Sequence, residues 1–465
     1  MKETFNLKYI IMISLVAALG GLLFGYDWVV IGGAKPFYEQ FFHIAHSPSL
    51  QGWAVSSALV GCILGAVISG VLAARFGRKK LLILASLLFL VSAAGTGGSD
   101  HFVTFIAFRI LGGMGIGLAS NLSPVYIAEV APAQLRGRFV ALNQLTIVIG
   151  ILLAQIINWM IAQPVPENAS GSFILQSWNG QSGWRIMFWA EAAPATLFFT
   201  FMWFVPESPR WLIKQSQTTK ASSILSRIGG IEYSKQTLVE IESSLGSETR
   251  KLNTVSVLSR SILPVVLLGV VLALFQQWCG INVIFLYAEE VFSAAGYSVS
   301  DMLFNVMITG SVNLIFTFVA LALVDKIGRK KLMLIGSGGL ALIYSIVGAL
   351  YFTGSTGLPL LILVVCAIAC YAMTLAPVTW VVLSEIFPNR VRGTAMAVAT
   401  FALWSGNALL AYFFPLINNR VHASGSFWIF ALICVAGFFY IRARLIETRG
   451  RSLEEIEKEF LKDQD

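Results

Sequence analysis

The chain has 465 residues, of which 57% are hydrophobic and only 12% charged, about half the charged share of an ordinary globular protein. That composition excludes a water-soluble protein of this size, whose surface would need a far larger polar coat. The net charge of +8 raises the question of nucleic acid, but no basic helix interleaved with aromatics occurs. The positive residues cluster in short loops between apolar runs, which is a topology signal and not a nucleic-acid footprint.

Apolar runs long enough to cross a hydrocarbon core about 30 Å thick recur along the chain. In order they predict spans at 9–33, 51–74, 81–99, 102–123, 139–162, 185–205, 262–290, 302–324, 331–353, 359–383, 394–415 and 426–445. The first run is too long for a signal peptide and has no clear small-residue cleavage site, so it reads as a span. With both termini cytoplasmic, 28 of the 32 Lys and Arg lie on the inner side, eight of them in the 206–261 connection. Lys35, Arg185 and Arg420 fall outside, and Arg109 lies inside a span. The positive-inside rule sets that orientation.

The chain also repeats itself. Phe76-Gly77-Arg78-Lys79-Lys80 returns as Ile327-Gly328-Arg329-Lys330-Lys331, and Glu129 with Arg136-Gly137 returns as Glu385 with Arg392-Gly393. Two six-helix halves follow, a build shared by many transporters. The expected organisation is an all-α integral membrane protein of twelve transmembrane helices in two six-helix repeats. An N-terminal half (1–205) precedes a cytoplasmic linker of short amphipathic helices (206–261). A C-terminal half (262–446) and a cytoplasmic tail (447–465) complete the chain. The five cysteines (62, 279, 366, 370 and 434) all fall in apolar segments with no His or acidic partner nearby. They read as packing residues, and no metal or cofactor is expected. Asn168-Ala169-Ser170 is a glycosylation sequon that would matter only in a eukaryote.

Six motifs in chain order resemble the sugar porter family of the major facilitator superfamily, over nearly the whole chain. They are Arg75-Phe76-Gly77-Arg78-Lys79 and its copy from Asp325 to Lys330, and Pro206-Glu207-Ser208-Pro209-Arg210-Trp211 after the sixth span. The others are Gln276-Gln277-Trp278-Cys279-Gly280-Ile281-Asn282, Ser384-Glu385-Ile386-Phe387-Pro388 and Glu447-Thr448-Arg449-Gly450-Arg451. Within the family the chain looks most like the bacterial proton-coupled pentose symporters, the xylose carriers among them. Ala74 departs from the pattern, which commonly has an acidic residue there. The resemblance implies the major facilitator fold and symport of a proton with a monosaccharide, a pentose such as xylose or else a hexose. It also implies a bacterial inner membrane and a monomer that works within the bilayer. A facilitative uniporter of the same fold is the alternative. A sugar sensor is disfavoured by a tail of only fourteen residues after Arg451. No nucleophile–base constellation supports an enzyme.

A sugar offers hydroxyls that both donate and accept, plus apolar C–H faces, so amides and aromatic rings suit it. Gln144, Ile151, Gln155 and Asn158 fall on one helical face of the fifth span. Gln276, Gln277 and Asn282 spread over more than half a helix circumference and converge only if the seventh span breaks at Gly280. By resemblance Phe24, Gln144, Ile151, Gln276, Gln277, Asn282, Trp380, Trp404 and Asn407 match pocket positions. Ile151, Leu286 and Leu403 stand where xylose carriers have polar residues.

Asp27 and Arg109 are ionisable groups at membrane depth, where charge is costly and usually functional. An arginine neighbour favours an ionised carboxylate while loss of water favours the neutral acid, so modest motion can move a proton. By resemblance, aspartate at position 27 marks proton symporters; Glu191, in the sixth span, is a further candidate for a supporting acid. The loop motifs imply a cytoplasmic gate in which Arg78, Arg136, Arg329 and Arg392 pair with Glu129, Glu207, Glu385 and Glu447.

Overall fold

The structure is a computed structural model describing residues 5–166, 169–251, 259–260, 262–355, 357–388, 391–449 and 455. Asn168, the side chain of Asp325 and residues 450–451 lie outside the described residues.

The chain runs through α1 (Leu7–Phe41), α2 (Pro48–Phe76), α3 (Arg78–Gly97), α4 (Phe102–Val130) and α5 (Arg136–Ile161). A short α6 (Gly171–Gln176) and a π-helical turn (Asn179–Gly183) lead to α7 (Trp184–Trp189) and α8 (Ala192–Met202). The connection carries α9 (Pro209–Lys214) and α10 (Thr218–Lys251), the latter bent at Gly230. Then follow α11 (Leu263–Trp278), α12 (Ile281–Leu286), α13 (Ala288–Ala294), α14 (Val299–Ile327), α15 (Arg329–Phe352), α16 (Leu358–Met373), α17 (Leu375–Ile386) and α18 (Arg392–Arg444).

Ten of the described apolar segments are long enough to cross a membrane. One of them, α18, has 53 residues and would extend about 80 Å if straight. Its backbone leaves the helical region at His422, so it makes two crossings. The sixth crossing is α7 plus α8, which gives twelve. This sixth span is not the single helix expected from its hydropathy. Pro194 lacks an N–H and its ring clashes with the carbonyl four residues back, at Ala190, where the helix stops. Pro377 acts the same way on the tenth span, which divides between Met373 and Leu375.

In the first half α1 packs on α4 and α5, while α3 packs on α4 and α8. The α2–α4 contact is built on Gly61 with Gly65 and Gly113 with Gly117. A Cβ at any of these four would strike the opposing helix's backbone. Small residues at a spacing of four are how apolar helices approach closely where lipid supplies no hydrophobic drive. Across the halves, α2 meets α18, α5 meets α14, and α1 meets α12 and α13.

The sequence repeat is a repeat of geometry on the basic face. Gly77 and Gly328 both take positive φ (88° and 100°). Beside them Arg78 N–H donates to Glu207 Oε1 at 3.0 Å, and Arg329 N–H donates to Glu447 Oε1 at 2.8 Å. Arg78 Nη2 lies 2.8 Å from Glu129 Oε1, and Arg329 Nη2 lies 3.1 Å from Glu385 Oε1. On the far face Trp189 Nε1 donates to Ala94 O and Trp428 Nε1 to Ser345 O. The connecting helix is tied to the first half: Asn6 N–H donates to Ile228 O, and Arg227 lies over the Tyr9 ring at 4.4 Å.

Candidate functional site

The seventh span breaks where three amides needed it to. Gly280 adopts φ 93°, and a Cβ there would lie 2.7 Å from the Phe430 ring, so only glycine fits both backbone and packing. A second break follows at Tyr287. With α11 and α12 thus offset, Gln277 Nε2 donates to Gln276 Oε1 (3.2 Å) and Asn282 Nδ2 donates to Gln277 Oε1 (2.6 Å). Asn282 Nδ2 also reaches Asn407 Oδ1 on α18 at 3.4 Å. Gln276 Nε2 donates to Ala376 O at the start of α17. All four amide residues are buried.

Trp404, one turn before Asn407, faces Phe24 of the first half with ring centroids 5.6 Å apart, and its indole N–H has no partner among the described residues. A ring pair from opposite halves therefore borders an amide chain. Gln144 is half-buried on α5 and Ile151 is buried against Gly25 of α1. Leu286 and Leu403 are buried as well. Trp380 is 36% exposed, whereas the amide chain is buried. Asn158 Nδ2 donates to Val30 O, an interhelical bond within the first half. Gln155 is buried with neither amide atom partnered and lies against Gly310 of α14.

Asp27 and Arg109 are 0% and 1% exposed and form an ion pair. Arg109 also reaches the Asp27 carbonyl at 3.4 Å and stands over the Phe188 ring at 5.6 Å. Asp27 Oδ2 has no hydrogen-bond partner among the described residues and abuts Gly112. Glu191, at the proline-induced break, is buried with Oε1 unpartnered, close enough to interact with the charges of Asp27 and Arg109. The break takes Glu191 out of a regular helix, with its carboxylate within electrostatic reach of the pair.

The basic-face residues differ from the expected network in one respect. Arg78 and Arg329 hold Glu129 and Glu385, while Glu207 and Glu447 cap the starts of α3 and α15. Burial pushes the Glu207 carboxyl above its ordinary range, opposed by the N–H donors of Ser208, Lys79 and Arg78. Among the described residues Arg136 and Arg392 are not paired with carboxylates. Arg136 Nε donates to Ala128 O and Arg392 to Phe387 O. Each arginine opens a helix and bonds a carbonyl of the segment before it. Among the described residues no ion pair on the basic face joins the two halves.

Two polar groupings escape a sequence reading. Asn305, Thr309, Asn313 and Thr317 form a buried stripe of i+4 spacing on α14, visible as a periodicity. Lys35, Glu39, Glu289 and Glu290 meet on the far face. Only the i,i+4 spacing of Lys35 and Glu39 hints at the second grouping, because its other members lie over 250 residues away.

Residues 13–460 match the family described as sugar (and other) transporter. The chain belongs to that family. It is 39% identical to the D-xylose-proton symporter of Escherichia coli (strain K12), over 98% of this chain and 97% of that one. It is 38% identical to the arabinose-proton symporter of Bacillus subtilis (strain 168), over 98% and 96%. The fold matches a structure of the E. coli xylose transporter in a partially occluded inward-open conformation, with TM-score 0.84 and 37% identity over 96% of this chain and 100% of that one. Family members are membrane-spanning transporters, so this chain is a multi-pass membrane transporter and not an enzyme.

Proposed function

We propose that this family member is a secondary active transporter that carries a monosaccharide together with a proton by alternating access. The substrate is a pentose such as xylose or arabinose, or a hexose. The relatives named for xylose–proton and arabinose–proton symport support the class. A glucose transport protein of Synechocystis sp. (strain ATCC 27184 / PCC 6803 / Kazusa), 37% identical, keeps hexoses in play. The observation that carries the reading is the buried Asp27–Arg109 pair with Glu191 beside it, in the half opposite the amide chain.

Gln276, Gln277, Asn282 and Asn407 currently satisfy one another. A sugar hydroxyl donates and accepts at once, so it can insert into that chain without stranding a partner. Phe24 and Trp404 cover an apolar sugar face, and the Trp404 indole adds a donor. Gln144 and Ile151 border the site from α5, and Trp380 serves it from the exposed wall of α17. Apolar Ile151, Leu286 and Leu403 thin out the hydrogen bonding and tune which sugar is held.

Protonation of Asp27 weakens its hold on Arg109, and Glu191 receives the freed guanidinium. The pair is thus the element whose charge state biases which conformation is favoured. The basic face is cytoplasmic, with both termini on that side in a bacterial inner membrane. Residues 1–205 and 262–446 are the two moving halves, 206–261 the linker, 447–465 the tail, and one chain suffices. Arg136 and Arg392 join the carboxylates of the opposite half when the cytoplasmic side closes; Arg78, Glu129, Glu207, Arg329, Glu385 and Glu447 frame that gate. The test is uptake of radiolabelled pentoses and hexoses into proteoliposomes with and without a pH gradient. Uptake that ignores the gradient for every sugar taken up would favour the uniporter.

A further inference from the structure

At the far face a lysine is held between the two halves. Lys35 Nζ lies 2.9 Å from Glu39 Oε1 on its own helix, 2.6 Å from Glu290 Oε1 and 3.4 Å from Glu289 Oε2, both on α13. Its side chain is 1% exposed and it stands over the Tyr287 ring at 5.8 Å. Glu39 is nearly as buried, and its other oxygen accepts a 2.8 Å bond from Gln51 Nε2 of α2. Glu289 and Glu290 keep side-chain exposures of 31% and 20%. Directly inward, Gly32 packs against the Phe285 carbonyl, so α1 and α12 touch beneath the cluster.

We propose that Lys35 is an electrostatic clasp that closes the extracellular side, with Glu290 as the partner released on opening and Glu39 as the counter-ion retained. The asymmetry of the cluster argues for this division. Separating the halves carries α13 away from α1 and parts Lys35 from Glu289 and Glu290. A buried ammonium left without a partner is strongly unfavourable, and that alone would lock the closed state. Glu39, one helical turn along α1 and fixed by Gln51, travels with Lys35 and prevents the stranding. The clasp therefore holds the closed state without making it irreversible. Glu289 already contacts water, and Glu290 carries an Oε2 that is buried with no partner among the described residues, so opening hydrates a carboxylate that the closed state leaves half satisfied. Polar closure also suits this seam, because lipid-like apolar packing alone gives no directional preference between open and closed.

This inference rests on the alternating-access reading, but its primary test needs no substrate. Spin labels at His101→Cys and Thr353→Cys, exposed far-face positions on opposite halves, report their separation in a background lacking the native cysteines. Glu290→Gln and Lys35→Met should each raise the population of the longer distance by about fivefold, while Lys35→Arg keeps the parent distribution. Glu39→Gln should move it the other way, towards the closed distance, because opening then strands Lys35. Opposite shifts from two acid-to-amide changes a few ångströms apart cannot arise from general loosening. Unchanged distances in Glu290→Gln, or lengthening in Glu39→Gln, would overturn the clasp. If the distances shift as stated but no sugar is taken up by the parent protein, the clasp stands and the transport reading fails.

Discussion

Replacing Asp27 by asparagine separates energy coupling from sugar recognition. In the structure Arg109 is 1% exposed and its guanidinium holds the Asp27 carboxylate. Leaving a buried charge with no partner costs about 3–5 kcal/mol. Asparagine keeps a carbonyl oxygen where Oδ1 stands, and Glu191 stays within electrostatic reach of Arg109. The loss should therefore be nearer that of one weakened charged hydrogen bond, about 1.5–3 kcal/mol, and the protein should still fold. Coupling, in contrast, is lost outright. One proton moving down ~100 mV and a pH difference of ~1 delivers about 3.7 kcal/mol, enough for roughly 500-fold accumulation at one proton per sugar. The variant should equilibrate sugar across proteoliposomes to a ratio of about 1, while exchange of labelled for unlabelled sugar persists and binding stays within about threefold of the parent. Accumulation above equilibrium in a variant that exchanges normally would remove Asp27 from the proton path.

Asn282→Ala should weaken sugar binding about 10- to 100-fold, since it strands the Gln277 and Asn407 oxygens in a buried site; tryptophan fluorescence titration measures it. The control is Asn158→Ala, which loses only the bond to Val30 O and should keep sugar affinity within about threefold while lowering the melting temperature. Gly280→Ala should cost about 1–2 kcal/mol or more from its left-handed backbone alone, and contact with the Phe430 ring adds to that. A thermal-shift assay in detergent should show a lower melting temperature, with sugar no longer raising it. Arg136→Ala should enrich the conformation described here, because among the described residues Arg136 makes no ion pair in it that could be lost. Faster alkylation of far-face cysteines in that variant would contradict this.

The crossings, their order and the repeat were legible because membrane burial demands long apolar runs and charge placement marks the loops. The break at Gly280 was legible too, since three amides on a regular helix could not have met. The seam residues were harder to read. Lys35 looked like an ordinary outer-loop cation, and its pairing with Glu290 depends on how two halves dock, which local pattern does not encode. Arg136 and Arg392 resembled gate ion pairs because their copies repeat, yet a repeated position says nothing about which conformation is populated. The stop before Glu191 follows from Pro194 four residues after Ala190, a signal that overall hydropathy averages away.

The doubled capping arrangement has a mechanical consequence. Arg78 with Glu129 and Glu207, and Arg329 with Glu385 and Glu447, each close within one half. They act as rivets, binding three or more crossings into a block that can tilt without internal rearrangement. Nearly all the work of switching is then done along the thin lines where the blocks abut. Substitutions that stiffen a block should raise heat resistance and leave turnover untouched, whereas small changes along an abutting line should alter turnover and leave heat resistance almost unmoved.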